Sequence, residues 1–303
     1  MPATTVSRSS RQVFLIGLAI AISGAILFSA KAIVAKLIYR YHVDPETLIG
    51  FRMMFALPFF AAVAYWKAKT APPLSNGERI QVVVLGLIGY YLSSYLDFLG
   101  LQYVSVGLER LILFLTPSFV LLMSLGFLKK KIAAAEWAAL GTAYLGTVLV
   151  FIHDARTGGT NVALGGVLVL ASAVSYALYL LLSGEVVRRI GAMRLTAYVM
   201  CVSSAACILQ FFVMRPASML VQPYPVYSLS LFNAVFCTVL PVFMTMVAIA
   251  RIGATAASQA AMVGPVSTLF MGAAILGEPI TTIQLTGTTL VIFGIYLLSK
   301  KKT

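Results

Sequence analysis

The sequence predicts an all-α integral membrane protein of ten transmembrane helices arranged as two inverted five-helix repeats. Three observations carry that prediction. The 303 residues are 60% hydrophobic and only 10% charged, with a mean hydropathy of +0.97, whereas soluble proteins carry about 25% charged residues. So few polar groups could not cover a water-facing surface, and a chain this rich in apolar side chains is not disordered. The apolar runs are continuous and about as long as the ~20 residues a helix needs to cross ~30 Å of hydrocarbon, without the alternation of barrel strands. Finally, the chain matches itself at a fixed offset.

The spans fall at 13–39, 45–66, 80–103, 106–128, 134–153, 162–187, 192–214, 225–250, 254–277 and 280–299. The first is longer than the apolar stretch of a signal peptide and reads as retained. Turn formers separate later ones: Pro72-Pro73 and Asn76-Gly77 between the second and third, Gly158-Gly159 between the fifth and sixth, and Pro223 before the eighth. No joining segment is long enough for a soluble domain. With the N-terminus inside, 15 of the 22 Lys and Arg residues collect on the cytoplasmic side; Arg40, Arg156 and Arg215 lie opposite, and Lys31, Lys36, Arg52 and Arg110 lie within or at the edges of spans. The net charge of +13 is therefore a topology signal rather than a nucleic-acid footprint. Both termini are expected in the cytoplasm. Cys201, Cys207 and Cys237 lie in apolar runs and read as reduced thiols.

An offset of 148 residues lays Pro117 on Pro265, Met123 on Met271, Gly146 on Gly294, Gly17 on Gly165 and Ala25 on Ala173. The repeats are 1–153 and 160–303. Five is odd, so the second half sits upside down relative to the first. Two equivalent halves related in this way can open a central site to alternate sides, as in many secondary transporters.

Ionisable groups within spans are costly and mark function or pairing. Lys31, Asp97, Glu109 and Arg110 fall in the outer half of the bilayer. They read as an outer gate or holder of a zwitterion's charges, or as an ion-paired buttress, with Lys36 and Arg52 snorkelling outward. Phe28, Ser29, Tyr90, Tyr91, Tyr95, Ser175, Tyr176, Tyr179, Ser258, Gln259 and Met262 are the candidates for an aromatic, weakly polar cavity, set against ordinary helix packing. Pro117, Pro241 and Pro265 sit inside spans, where each frees a carbonyl and kinks the helix; they read as hinges. Gly141, Gly146, Gly287 and Gly294 favour close helix contact in spans five and ten. No Walker loop, zincin motif or nucleophile elbow is present, and His42 and His153 share no ligand spacing. No catalytic residue, metal or cofactor is expected.

The stretch Tyr103–Pro117 in span four, and Gly264-Pro265 through Leu276-Gly277-Glu278-Pro279 in span nine, resemble the drug/metabolite transporter superfamily, specifically its EamA-type exporters. The resemblance covers the whole chain. It implies a transporter of a small-molecule substrate, most similar to bacterial exporters of amino acids, aromatic ones included; the chain is expected in the bacterial inner membrane, surrounded by lipid, as a monomer or as a homodimer joined through spans five and ten. Two departures stand out: Lys129-Lys130-Lys131 replaces Gly-Glu-Pro in the first repeat, and the middle of span one, Gly24 to Ser29, has no carboxylate. Transport of organic anions or nucleotide sugars through Lys31, Arg52 and Arg110 is the alternative, and a passive channel or structural membrane protein the second.

Overall fold

Apolar runs without a polar face must satisfy their backbone internally, and the described residues form helices and no strand. A computed structural model describes the backbone of residues 6–128, 134–157 and 161–300, and side chains for 12–124, 137–156, 161–252, 257 and 260–297. Lys129-Lys130-Lys131 and Gly158-Gly159 lie outside it. Eight helices are long and apolar enough to cross a membrane: α1 (Gln12–Tyr39), α2 (Pro45–Thr70), α3 (Asn76–Leu101), α4 (Val106–Ser124), α5 (Trp137–Arg156), α6 (Val162–Ile190), α7 (Ala192–Met214) and α8 (Tyr224–Ile252). Two shorter apolar helices follow, α9 (Val263–Leu276) and α10 (Thr282–Leu297).

Helix starts follow local chemistry. Asp44 caps α2, accepting from the Thr47 amide at 2.9 Å, with Pro45 as the first helical residue. Ser75 and Glu78 form a capping box on α3. α9 begins later than the span 254–277 because Pro265 has no N–H for the Ala261 carbonyl. The chain turns at Ala261–Met262, and that carbonyl is taken instead by the Gly264 amide at 2.9 Å. In α4, Pro117 likewise frees the Leu113 carbonyl. The Thr116 hydroxyl donates to it at 2.6 Å, and the helix breaks at Leu115.

Contacts along α1 fix the directions. Asn233 donates to the Lys31 carbonyl, Met244 packs on Gly24 and Ile252 on Gly17, so α8 runs antiparallel to α1. Ser29 donates to the Gly264 carbonyl and Arg40 to that of Leu276, so α9 runs parallel to it. Gly100 against Gly165, Ser93 against Ser172 and Ser175 donating to the Ile88 carbonyl set α6 antiparallel to α3. The Gly100–Val169 contact has its counterpart 148 residues away in the Ala248–Ala21 cluster. α5 and α10 meet so closely that a Cβ on Gly146 would lie 2.5 Å from the Gly287 carbonyl oxygen, and one on Gly294 2.6 Å from that of Ala139. The offset exchanges these two contacts. Gly141 was expected in this seam and is not there: no described residue lies within 4 Å of a Cβ placed on it. Five residues is about 140° around a helix from Gly146, while Ala139 shares the Gly146 face.

Large apolar side chains are exposed on α1 (Phe14, Leu15), α6 (Val167), α7 (Leu209, Val213) and α10 (Phe293), an outer surface suited to lipid. The end of the bundle near Gly17 carries Lys67, Lys69, Arg188, Arg189 and Arg251; the opposite end carries Arg40, Asp44, Asp154, Arg215 and Glu278.

Candidate functional site

α3 and α8 each contain a π-helical stretch, Leu87–Leu92 and Val235–Val239. These are again repeat-equivalent, and π-bulges concentrate where function bends a helix. Between them lies a cavity of about 400 Å³. Its walls are paired by the offset: Gly24 with Ser172, Phe28 with Tyr176, Arg52 with Met200, Tyr90 with Thr238, Ser93 with Pro241, Asp97 with Thr245, Leu113 with Ala261 and Thr116 with Gly264 all line it.

Among the described residues, the lining charges come from one half. Lys31, Arg52, Asp97 and Arg110 line the cavity, and their equivalents are Tyr179, Met200, Thr245 and Ser258. Lys31 Nζ lies 2.6 Å from Asp97 Oδ2, with both side chains buried. The cations alternate with rings: Arg110 Cζ stands 5.4 Å and Lys31 Nζ 5.3 Å from the Phe28 centroid, and Lys31 and Arg52 stand 5.1 and 4.6 Å from that of Phe98. Arg110 donates to the Thr268 hydroxyl at 3.2 Å and to the Phe28 and Ser29 carbonyls at 3.3 Å. Glu109 is fully buried behind it, 3.9 Å from Arg110 Nε, and does not line the cavity. Arg52 does not snorkel. It is 3% exposed, and its Nε and one Nη have no hydrogen-bond partner among the described residues.

Of the aromatic and polar candidates, Phe28, Ser29, Tyr90 and Tyr176 line the cavity. Tyr90 meets Tyr176 and Tyr179 edge-on, at 5.8 and 5.2 Å between centroids. The others are placed elsewhere. Tyr179 packs behind Tyr90 with Val82 and Leu195, and Tyr91 packs on the core of α1, α2 and α8. Tyr95 donates to Glu46 at 3.0 Å, Ser175 donates to the Ile88 carbonyl, and Met262 packs with Leu108 and Leu111. One helical turn separates Tyr91 and Tyr95, which therefore share a face turned away from Tyr90. Ser258 and Gln259 lie outside the described side chains. Pro117 and Pro241 line the cavity, whereas Pro265 is buried beside it. Ser93, Met200, Thr238 and Thr245 had not been singled out. Adding or subtracting 148 from Tyr90 and Asp97 would have found Thr238 and Thr245.

A second, open cavity lies at the Arg40 end, lined by Lys36, Tyr39, Arg40, Asp44 and Glu278. The Tyr39 hydroxyl donates to the Phe98 carbonyl at 2.7 Å, so the Lys31–Asp97–Phe98 layer separates the two cavities. Gly277, with φ +75°, ends α9 in the left-handed conformation that glycine tolerates. The turn brings Glu278 Oε1 to the Val106 amide at 3.4 Å, at the positive end of α4. Burial pushes the Glu278 carboxyl above its usual value, and that amide contact opposes the rise.

At the same end Arg215 ties α7 to the start of α2, 3.0 Å from Glu46 and 3.1 Å from Asp44. Burial would raise the Asp44 carboxyl, but hydrogen bonds from Thr47 and the Arg215 charge together hold it below the usual range. A depressed carboxyl stabilises fully above its unfolded value, about 3.9, and that stabilisation is lost as pH falls through the folded value. The melting difference between wild type and Arg215→Gln is accordingly expected to be constant from roughly pH 5 to 8 and to close at about pH 3 or below. A gap persisting in acid would assign the tie to packing rather than charge.

An apolar-surfaced helical bundle around a symmetric, partly charged cavity defines a membrane transporter. The chain belongs to the EamA-like transporter family, whose model matches residues 15–152 and again 163–300. It is 32% identical over 287 residues to the uncharacterized transporter YcbK of Bacillus subtilis, covering 90% of this chain and 89% of the relative. It is 26% identical to an uncharacterized transporter of Archaeoglobus fulgidus, covering 86% of this chain and 90% of that one. A crystal structure 15% identical in sequence shares the fold, with a TM-score of 0.66 over 94% of this chain and 98% of that chain.

Proposed function

We propose that this chain is a secondary transporter that exports amino acids, neutral or aromatic, or closely related small metabolites across the bacterial inner membrane by alternating access. The observation that carries the reading is the pairing of the cavity walls across the repeat offset. A site walled by equivalent residues of two inverted halves can be exposed to either side when the halves exchange conformations. Residues 1–153 and 160–303 are those halves, with Pro117, Pro241 and Pro265 as hinges. The cavity extends from the Lys31–Asp97 layer toward Ala21 and Leu180, on the side of the basic end. With that end in the cytoplasm, the Lys31–Asp97 layer is a closed outer gate and the cavity faces inward.

Aromatic walls favour an amphipathic solute with an apolar side chain. Three lining cations against one carboxylate also favour organic anions, which is the second reading.

The test is counterflow in proteoliposomes loaded with unlabelled amino acid. Saturable accumulation of labelled phenylalanine, tryptophan or leucine is expected. Linear, non-saturable flux would mean a passive channel, and accumulation of dicarboxylates alone would establish the second reading.

A further inference from the structure

We propose that Arg52 and Asp97 form the head-group site of this cavity: the Arg52 guanidinium takes the carboxylate of a free α-amino acid, and Asp97 Oδ1 takes its ammonium. The inference rests on the amino-acid reading above and names the two poles that would recognise such a substrate.

The cavity holds two charged groups that the protein leaves half satisfied. Arg110 donates to a hydroxyl and two carbonyls, and Lys31 to Asp97 Oδ2. Arg52 is different. Its Nε and one Nη are buried with no acceptor among the described residues, and its guanidinium packs on the Phe98 ring. A buried cation without an acceptor is among the most costly groups a bundle interior can hold, and within a membrane such groups mark substrate paths. Asp97 has the complementary defect. Oδ2 is held by Lys31, while Oδ1 is buried without a donor among the described residues, beside the Glu109 carboxyl, whose two oxygens also lack one. The two residues stand on the same part of the wall, since Phe98, next to Asp97 in sequence, carries both Lys31 and Arg52 on its ring.

One unmet cation and one unmet anion in one cavity complement a zwitterion. A simple carboxylate would leave Asp97 Oδ1 unpaired, and a dianion would face the Asp97 charge. Met200 and Thr245, the equivalents of Arg52 and Asp97, line the same cavity without charge. There is thus one head-group site rather than two, and the substrate's side chain is directed toward Phe28, Tyr90 and Tyr176. A volume of about 400 Å³ is near the small end of ligand sites, roughly 300–1,000 Å³.

The test uses the full chain in proteoliposomes and whichever of phenylalanine, tryptophan, leucine and methionine gives the greatest counterflow. Its amide keeps only the ammonium and its N-acetyl derivative only the carboxylate. Neither is expected to compete at about ten times the concentration at which the parent halves uptake. Arg52→Met, which copies Met200, is expected to raise the apparent KM at least about tenfold. The same variant in detergent is expected to melt no lower than wild type, because an unmet buried charge is gone, yet to lose the thermal shift that the amino acid gives the wild type. Wild-type affinity in Arg52→Met overturns the carboxylate pole and leaves the transporter reading standing. Full competition by the amide overturns that pole, and full competition by the N-acetyl derivative overturns the ammonium pole. Absence of counterflow for all four amino acids in folded wild type removes the amino-acid reading, and this inference with it.

Discussion

Lys31→Met is expected to be among the most damaging substitutions in this chain, lowering stability by about 3–5 kcal/mol. The ammonium lies 2.6 Å from Asp97 Oδ2, and both side chains are buried, 7% and 3% exposed. Removing it strands a carboxylate whose other oxygen already lacks a donor among the described residues, and it also removes the cation from between the Phe28 and Phe98 rings. The double variant Lys31→Met/Asp97→Asn is expected to recover most of that loss, since deleting both members of a buried pair spares the desolvation of each. A double-mutant cycle in melting temperature measures the coupling. If the double variant is no more stable than Lys31→Met, the pair does not secure the layer between the two cavities. Stability and transport separate here: the double variant is expected to fold but lacks the Asp97 negative charge assigned to the substrate ammonium, so counterflow is expected to stay lost.

Much of this architecture is legible in the residues because lipid imposes so few solutions. Continuous apolar runs can only be helices, and the prolines at 117 and 265 announce both the offset and the local breaks. Side-chain direction is less legible. Tyr90 and Tyr91 are adjacent and equally polar, yet one lines the cavity and the other packs against α1, α2 and α8. The helical period separates the face of Tyr90, Ser94 and Asp97 from that of Tyr91 and Tyr95, but only the packing of the neighbouring helices decides which face meets the cavity. Arg52 was misplaced for another reason. Seven residues into α2, an arginine can reach water by snorkelling, whereas here its guanidinium turns inward onto the Phe98 ring. Glu109 was singled out with its neighbour Arg110, but one residue is 100° of helix, so Arg110 lines the cavity while Glu109 is buried behind it.

The seam between α5 and α10 gives the second large effect, and it tests the symmetry that the transport mechanism needs. Gly146 and Gly294 are repeat-equivalent, and a Cβ on either would press on backbone: 2.5 Å from the Gly287 carbonyl oxygen in one case, 2.6 Å from that of Ala139 in the other. Backbone cannot swing aside as a flexible side chain can. Gly146→Val and Gly294→Val are therefore each expected to cost about 1–3 kcal/mol or more through overpacking, and by similar amounts, because the contacts are exchanged by the offset. Gly141→Ala on the same helix meets no described residue within 4 Å and is expected to be neutral or to gain up to about 1 kcal/mol from helix propensity. Melting temperatures of the three variants in one detergent decide the matter. Equal tolerance of all three would mean that α5 and α10 are not closely apposed. A large cost at Gly146 with none at Gly294 would break the equivalence of the two halves. The predicted pattern, two costly positions 148 residues apart and a harmless one five residues from the first, requires the seam to lie on the axis that relates the halves.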